Sequence, residues 1–254
     1  MKYYEEVFCE KTKLNDLAEL TSEEWTFSRE GATKNGILVN YLAHTYERLE
    51  YENKIFVDEK NGRAIFNTGL FDNFYEPLYA YLELNKRENT QKWYTVGFKS
   101  AYELARRGVD NTLLPERANY FEDPSLLIFD ANCPINIQFG HILNDPNNIK
   151  RLPKKIKDAT NRTTIFRGAL DLMVKSVTAN YKLAVPQYYK GNIQLLLPVC
   201  LLEPMKADVA LVVTKSNDGK YYQGHTCLTL DMAYNNARLI ARPNSDWLNV
   251  REGK

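Results

Sequence analysis

Apolar positions along the chain recur at two spacings, one helical and one extended, and their order predicts an α+β fold. Ile37, Leu38, Tyr41, Leu42, Thr45 and Leu49 fall in one stripe of a helix over about 37–50. Ile165, Phe166, Ala169, Leu170, Met173 and Val177 do the same over about 162–180. Leu14, Leu17, Ala18 and Leu20 predict a short helix, and Phe74, Leu78, Tyr81 and Leu82 predict another over about 73–82. Two more are expected at about 100–107 and 230–241. Extended segments lie between them. Lys54–Val57 and Arg63–Phe66 flank Asn61-Gly62, a turn pair that tolerates positive φ and signals a hairpin. A strand is expected at about 92–98, and Leu126–Phe129 reads as a buried strand with Asp130 at its end.

The C-terminal third carries the strongest extended signal. Ile193–Leu202, Val209–Val213 and Tyr221–Leu228 are separated by Glu203-Pro204 and by Asn217-Asp218-Gly219, which predicts an antiparallel meander. Its first two strands are apolar enough for burial on both faces. Pro198 within the first implies a bulge or a local edge. The expected architecture is one largely antiparallel sheet, the meander plus the N-terminal hairpin, covered by helices. A single domain over 1–254 is expected, with a candidate sub-domain boundary within 145–162. No internal repeat or low-complexity tract is visible.

Charge narrows the function classes. Lys plus Arg total 33 against 32 Asp plus Glu in 254 residues, a net of +1, which excludes the uniformly basic mode of nucleic-acid binding. The balance is uneven along the chain. The first 30 residues carry eight carboxylates against four cations, whereas 145–162 carries six cations against two carboxylates, with Pro146 and Pro153 as breakers.

No stretch approaches the roughly 18 apolar residues of a membrane-spanning helix. Glu5 and Glu6 stand where a signal peptide would have its basic start. Cys9, Cys133, Cys200 and Cys227 show no metal or redox spacing. A cytoplasmic protein with reduced cysteines and no membrane partner is expected. Phosphate-loop, dinucleotide-binding, zinc-protease and serine-hydrolase motifs are all missing. Neither a metal nor a cofactor is expected.

Four constellations carry candidate chemistry. Asn40, His44, Glu47 and Arg48 share a strip beside the apolar face of the 37–50 helix, where an imidazole, a carboxylate and a guanidinium could work as an acid–base pair with an anion clamp. The plainer alternative is a hydrogen-bonded rim of the core. Asp231, Asn235, Arg238 and Arg242 form a polar stripe on the last helix, suited to phosphate or base recognition or simply to solvent. Asn236 lies off this stripe, and its poor helix propensity suggests a reason for being there. His141 precedes the basic run with Lys150, Arg151, Lys154 and Lys155, where two proton-transfer groups and a cation would suffice for metal-free phosphodiester cleavage. Gln187, Tyr188 and Tyr189 beside Lys190 offer aromatic stacking next to a cation.

The runs Ile37–Tyr46, Phe66–Leu70, Ala184–Tyr189 and Leu228–Leu239 together resemble a bacterial domain-of-unknown-function family, whose members are often joined to cold-shock-type or LOTUS-type RNA-binding modules. The likeness covers about residues 14–248. It brings no established activity and no catalytic residues, but it implies an RNA-linked context. Three readings follow. The first is an RNA- or nucleotide-phosphate-binding domain using Lys150, Arg151, Lys154, Lys155, Arg238 and Arg242. The second is a metal-independent phosphodiesterase or RNA-processing enzyme built on His44, His141 or His225 with Glu47 or Asp231. The third is a protein-interaction scaffold. Whether any reaction is catalysed is left open, as is a homo-oligomer. The first reading is the one expected.

Overall fold

In place of the expected single sheet, the chain builds two, one in each of two units, Met1–Asn119 and Tyr120–Lys254. The structure, a computed structural model, describes residues 2–120 and 123–250, with the backbone alone for His141. The α+β class holds. The hairpin and the meander belong to different sheets, because side-chain periodicity identifies a strand without naming its neighbour. The segment 145–162 lies inside the second unit as helical turns.

The first unit runs α1 (Lys2–Glu6), β1 (Val7–Phe8), α2 (Lys11–Leu20), α3 (Gly36–Tyr51), β2 (Ile55–Asp58), β3 (Arg63–Phe71), β4 (Pro77–Leu84), β5 (Trp93–Lys99) and α4 (Ala101–Ala105). Its sheet has the order β1-β5-β4-β3-β2, with β1 parallel to β5 and the other pairs antiparallel. Phe66 of β3 meets the ring of Tyr46 on α3 edge-on at 5.4 Å. Ile65, on the opposite face, joins Tyr79, Tyr81 and Leu104 of α4 in a second cluster. The helix expected over 73–82 is a turn followed by β4. Asp72 Oδ1 accepts from the backbone nitrogens of Phe74 and Glu76, closing the turn, and the run from Leu78 to Leu82 is buried on both faces of the sheet. A doubly buried strand and a helix share the same continuous apolar signature.

The second unit runs β6 (Ile135–Ile137), α5 (Phe139–Asn144), α6 (Pro146–Arg151), α7 (Lys154–Lys157), α8 (Arg162–Ala179), β7 (Val185–Tyr189), β8 (Asn192–Val199), β9 (Val209–Lys215), β10 (Tyr222–Leu228) and α9 (Leu230–Ile240). Phe166, Leu170, Met173 and Val177 of α8 bury one face of the sheet through Leu195, Leu197, Leu211 and Val213. The strand expected at Leu126–Phe129 is a 3₁₀ turn over Pro124–Leu127, and only Phe129 of that run is buried, stacked on Tyr222 at 4.9 Å. Pro124 at the start of the turn and the Asp123 side chain accepting from Ser125 nitrogen favour the turn over a ladder. Pro198 sits beyond the point where β7 stops pairing with β8, a local edge where no N–H is needed.

The second sheet, β6-β10-β9-β8-β7, repeats the topology of the first. In each unit four consecutive strands form an antiparallel meander, and an earlier strand adds in parallel to the last of them. The correspondence extends to single residues. The last strand of each meander has seven residues, and its fourth is an extra, bulged residue: Val96 in β5 and His225 in β10. Directly after each strand, Ser100 or Thr229 caps the closing helix. The repeat absent from the sequence is thus present in the backbone.

Candidate functional site

Where the bulge of the first unit holds Val96 against apolar neighbours, that of the second turns His225 into solvent. A bulge re-aims a side chain that regular alternation would have placed elsewhere. His225 ends a chain of side-chain hydrogen bonds that crosses the sheet from α9. Asn236 Nδ2 donates to Gln187 Oε1 at 3.0 Å, Gln187 Nε2 to Gln194 Oε1 at 2.8 Å, and Gln194 Nε2 to Thr214 Oγ1 at 3.3 Å. Thr214 Oγ1 lies 3.1 Å from His225 Nε2. The Thr214 hydroxyl accepts from Gln194 and keeps one proton and a second lone pair, so it can either donate to Nε2 or accept from it, according to the tautomer of the imidazole. The register explains the row: Gln187 pairs with Gln194, and Thr214 pairs with Gln223.

The candidate residues divide sharply in this unit. Lys150, Lys154 and Lys155 are exposed, and none has a carboxylate within ion-pair distance among the described residues. Arg151 is instead half-buried, donating through Nη1 to Thr226 Oγ1 at 3.1 Å and to the Cys227 carbonyl at 3.0 Å, beyond the point where β6 stops pairing with β10. That is a structural duty. The polar stripe expected on α9 does not stay on one exposed face. Arg238 is buried beside Tyr234 and Ala237, Asn235 and Asp231 are half-buried, and Arg242 is exposed beyond the helix. An eleven-residue helix packed on a sheet has a broad inner face, which claims Arg238 as well. The Asn235 Oδ1 atom is buried without a hydrogen-bond partner. Gln187 is buried in the row. Tyr188 points to the other side of β7 and meets Tyr120 edge-on at 4.8 Å, while Tyr189 is exposed with Lys190 Nζ 5.4 Å from its ring centre.

Sequence reasoning missed Gln194 and Thr214. Their signal was a polar side chain at each end of the apolar meander strands. The imidazole of His141 lies outside the described residues. The α3 strip of the first unit does not assemble as an anion clamp. His44 Nδ1 lies 3.4 Å from Glu47 Oε2, but Arg48 turns away to Glu52 and to the Asn119 carbonyl at 2.8 Å, and Asn40 is half-buried. Among the described residues no group of three or more His, Cys, Asp or Glu is placed to hold a metal ion, and no helix is long and apolar enough to cross a membrane.

Division into units changes the meaning of the near-zero net charge. Met1–Asn119 holds 16 Lys and Arg against 20 Asp and Glu, whereas Tyr120–Lys254 holds 17 against 12. The unit with the amide row is therefore cationic by five, and the other anionic by four. Neutral overall charge masks a polarised pair.

No curated protein and no solved structure matches the chain. A family model described as a domain of unknown function, DUF3825, matches residues 14–247 and so runs through both units. The chain belongs to the DUF3825 family.

Proposed function

We propose that the Tyr120–Lys254 unit binds single-stranded RNA or a nucleotide phosphate on the sheet face that carries Gln194, Thr214 and His225. The surplus of five positive charges confined to this unit is the observation that carries the reading. Unpaired lysines attract phosphate without sequence preference, and amides and an imidazole on an open sheet suit the edges of unstacked bases. Lys150, Lys154 and Lys155, on the helical turns α6 and α7 beside the sheet, supply the charge that draws the strand to this unit, Tyr189 a stacking surface, and the row from Gln187 to His225 the polar contacts. Arg151, Arg238 and Asn236 hold this surface in shape. The resemblance to a bacterial family joined to RNA-binding modules supports an RNA-linked process, and the cysteine usage supports a cytoplasmic setting.

The test is fluorescence anisotropy with a labelled 12-nucleotide single-stranded RNA over a KCl series. Each phosphate neutralised on a single strand contributes about −0.7 to the slope of log K against log salt, so three lysines give about −2. Replacing Lys150, Lys154 and Lys155 with Glu should abolish most binding and flatten the slope. Affinity that ignores salt, or survives the triple replacement, overturns the reading.

A further inference from the structure

The polar row of the second unit has a counterpart in the first. Register aligns Gln187, Gln194, Thr214, Gln223 and Asn136 across one sheet, and Asp58, Arg63, Glu83, Tyr94 and Phe8 across the other. Arg63 faces Glu83 in the ladder but is turned away from it. Its Nε donates to Asp58 at 2.9 Å, and its terminal nitrogens donate to the carbonyls of Arg107 and Gly108 at 3.3 and 3.2 Å. Half-buried Glu83 is left without an ion pair or a side-chain hydrogen bond among the described residues. Beside it the rings of Phe8 and Tyr94 stack, 6.1 Å apart and 24° from parallel.

The loop after β4 is built over this row. Asn85 nitrogen donates to the Lys92 carbonyl at 2.9 Å, Arg87 nitrogen to Asn85 Oδ1 at 3.1 Å, and Thr90 Oγ1 to the Arg87 carbonyl at 2.8 Å. Loop and row enclose a cleft of about 410 Å³ lined by Phe8, Glu83, Lys86, Arg87, Gln91 and Tyr94 among others, with Glu10 as a second carboxylate that accepts from Tyr94 Oη at 3.2 Å. That volume lies within the roughly 300–1,000 Å³ of small-ligand sites. Lys86 and Arg87 have no ion-pair partner among the described residues, although Glu83 lines the same cleft. Opposite charges held apart in one cleft suit a ligand that needs both.

We propose that this cleft binds a nucleoside monophosphate. Lys86 and Arg87 take the phosphate, with the guanidinium able to bind two oxygens at once. The Glu83 carboxylate accepts from the ribose hydroxyls, as an acceptor-only group. The base lies against the Phe8–Tyr94 pair, with the oxygen of the Gln91 amide at its edge, since the Gln91 nitrogen already donates to the Tyr4 carbonyl at 3.2 Å. Free phosphate would use only the cations, and a simple amine only the carboxylates of Glu10 and Glu83. A nucleotide uses all three parts. The proposal concerns the first unit and stands whether or not the second binds RNA.

Calorimetry on the full chain with AMP, GMP, CMP and UMP, and with inorganic phosphate and ribose 5-phosphate as controls, tests it. At least one nucleotide should saturate a single site and bind at least 10-fold more tightly than either control. Arg87→Glu and Glu83→Gln should each weaken it at least 10-fold, and Phe8→Leu should weaken it while ribose 5-phosphate binding stays unchanged. Replacing Lys154 and Lys155 with Glu should leave it unaltered, which separates this site from the RNA surface. No saturable binding by any of the four nucleotides, equal affinity for inorganic phosphate, or indifference to the cleft substitutions overturns the proposal.

Discussion

Asn236 of α9 and Gln187 of β7 are joined by one side-chain hydrogen bond of 3.0 Å, and it sets the direction of the amide bonds that follow, from Gln187 to Gln194 and from Gln194 to Thr214. Asn236→Ala leaves the buried Gln187 Oε1 unpaired, which costs about 1–3 kcal/mol and is read by urea denaturation. Asn236→Asp behaves differently. A carboxylate can only accept, so Gln187 and then Gln194 turn their amides over, and Thr214 donates to Gln194 instead of His225. The Thr214 proton is then committed, so a neutral imidazole must donate through Nε2. Nitrogen-15 NMR of neutral His225 should place its proton on Nε2 in Asn236→Asp. A proton found on Nδ1 in that variant would mean that the row is not coupled from end to end.

How much of this could be read in advance varies with the kind of information each element uses. The helices α3, α8 and α9 were legible because a 3.6-residue stripe longer than ten residues has no extended counterpart. The strand β4 was not, since Leu78, Tyr81 and Leu82 fit both periods once both faces are buried. Asn61-Gly62 promised a two-residue turn, yet only Gly62 takes positive φ, in a loop of four residues between Asp58 and Arg63. The two-residue turn with both residues left-handed is Lys190-Gly191. The duplicated topology was invisible because backbone pairing tolerates Val96 and His225 at the same bulge. The basic run of Lys150, Lys154 and Lys155 was legible from charge, and its lysines are exposed. Arg151 instead bonds the protein's own Thr226 hydroxyl and Cys227 carbonyl, which a guanidinium serves as well as it does a phosphate, and Arg238 is buried on α9.

Glu52 is the acid-sensitive point of the first unit. Burial alone would raise its pKa, but hydrogen bonds from Lys54 at 2.9 Å, from Arg48 and from the Asn119 nitrogen outweigh burial and hold the carboxyl below its ordinary value. A depressed folded pKa means that the stabilisation is complete above the unfolded value, about 4.3, and is lost as pH falls through the folded one. Glu52→Gln should therefore lower the melting temperature at pH 7, with the gap to wild type closing below about pH 4. Arg48→Met takes the guanidinium from half-buried Glu52, which keeps Lys54 and the Asn119 nitrogen, and the expected loss is that of one charged hydrogen bond, about 1.5–3 kcal/mol. A gap that stays constant across the acid range would show that Glu52 titrates as an ordinary surface carboxylate.

Thiol chemistry separates the four cysteines. Cys227 is fully buried in the core of the second unit, and burial pushes its thiol up to about 12. The thiolate is the reactive form, so almost none is present at pH 8. Cys9, Cys133 and Cys200 are half-buried and also raised, chiefly by burial. Iodoacetamide at pH 8 followed by mass spectrometry should label those three slowly and Cys227 only after unfolding. Native labelling of Cys227 at the rate of the others would place it at an open surface instead.

Two glycines with opposite surroundings complete the set. Gly69 of β3 has φ +72°, and a Cβ built there would lie 2.7 Å from Tyr41 Oη. That hydroxyl donates to the Thr68 carbonyl at 2.9 Å, tying α3 to the sheet, and cannot withdraw without losing the bond. Gly69→Ala thus adds left-handed strain of about 1–2 kcal/mol to a steric conflict in the core. Gly168 sits in the interior of α8, exposed, with nothing within 4 Å of an added Cβ. There a methyl group costs nothing sterically and removes freedom from the unfolded chain, so Gly168→Ala should stabilise by about 0.5–1 kcal/mol. Thermal unfolding of the two variants should move in opposite directions, and a loss of stability in Gly168→Ala would mean that α8 packs more closely at this point than its exposed surface indicates.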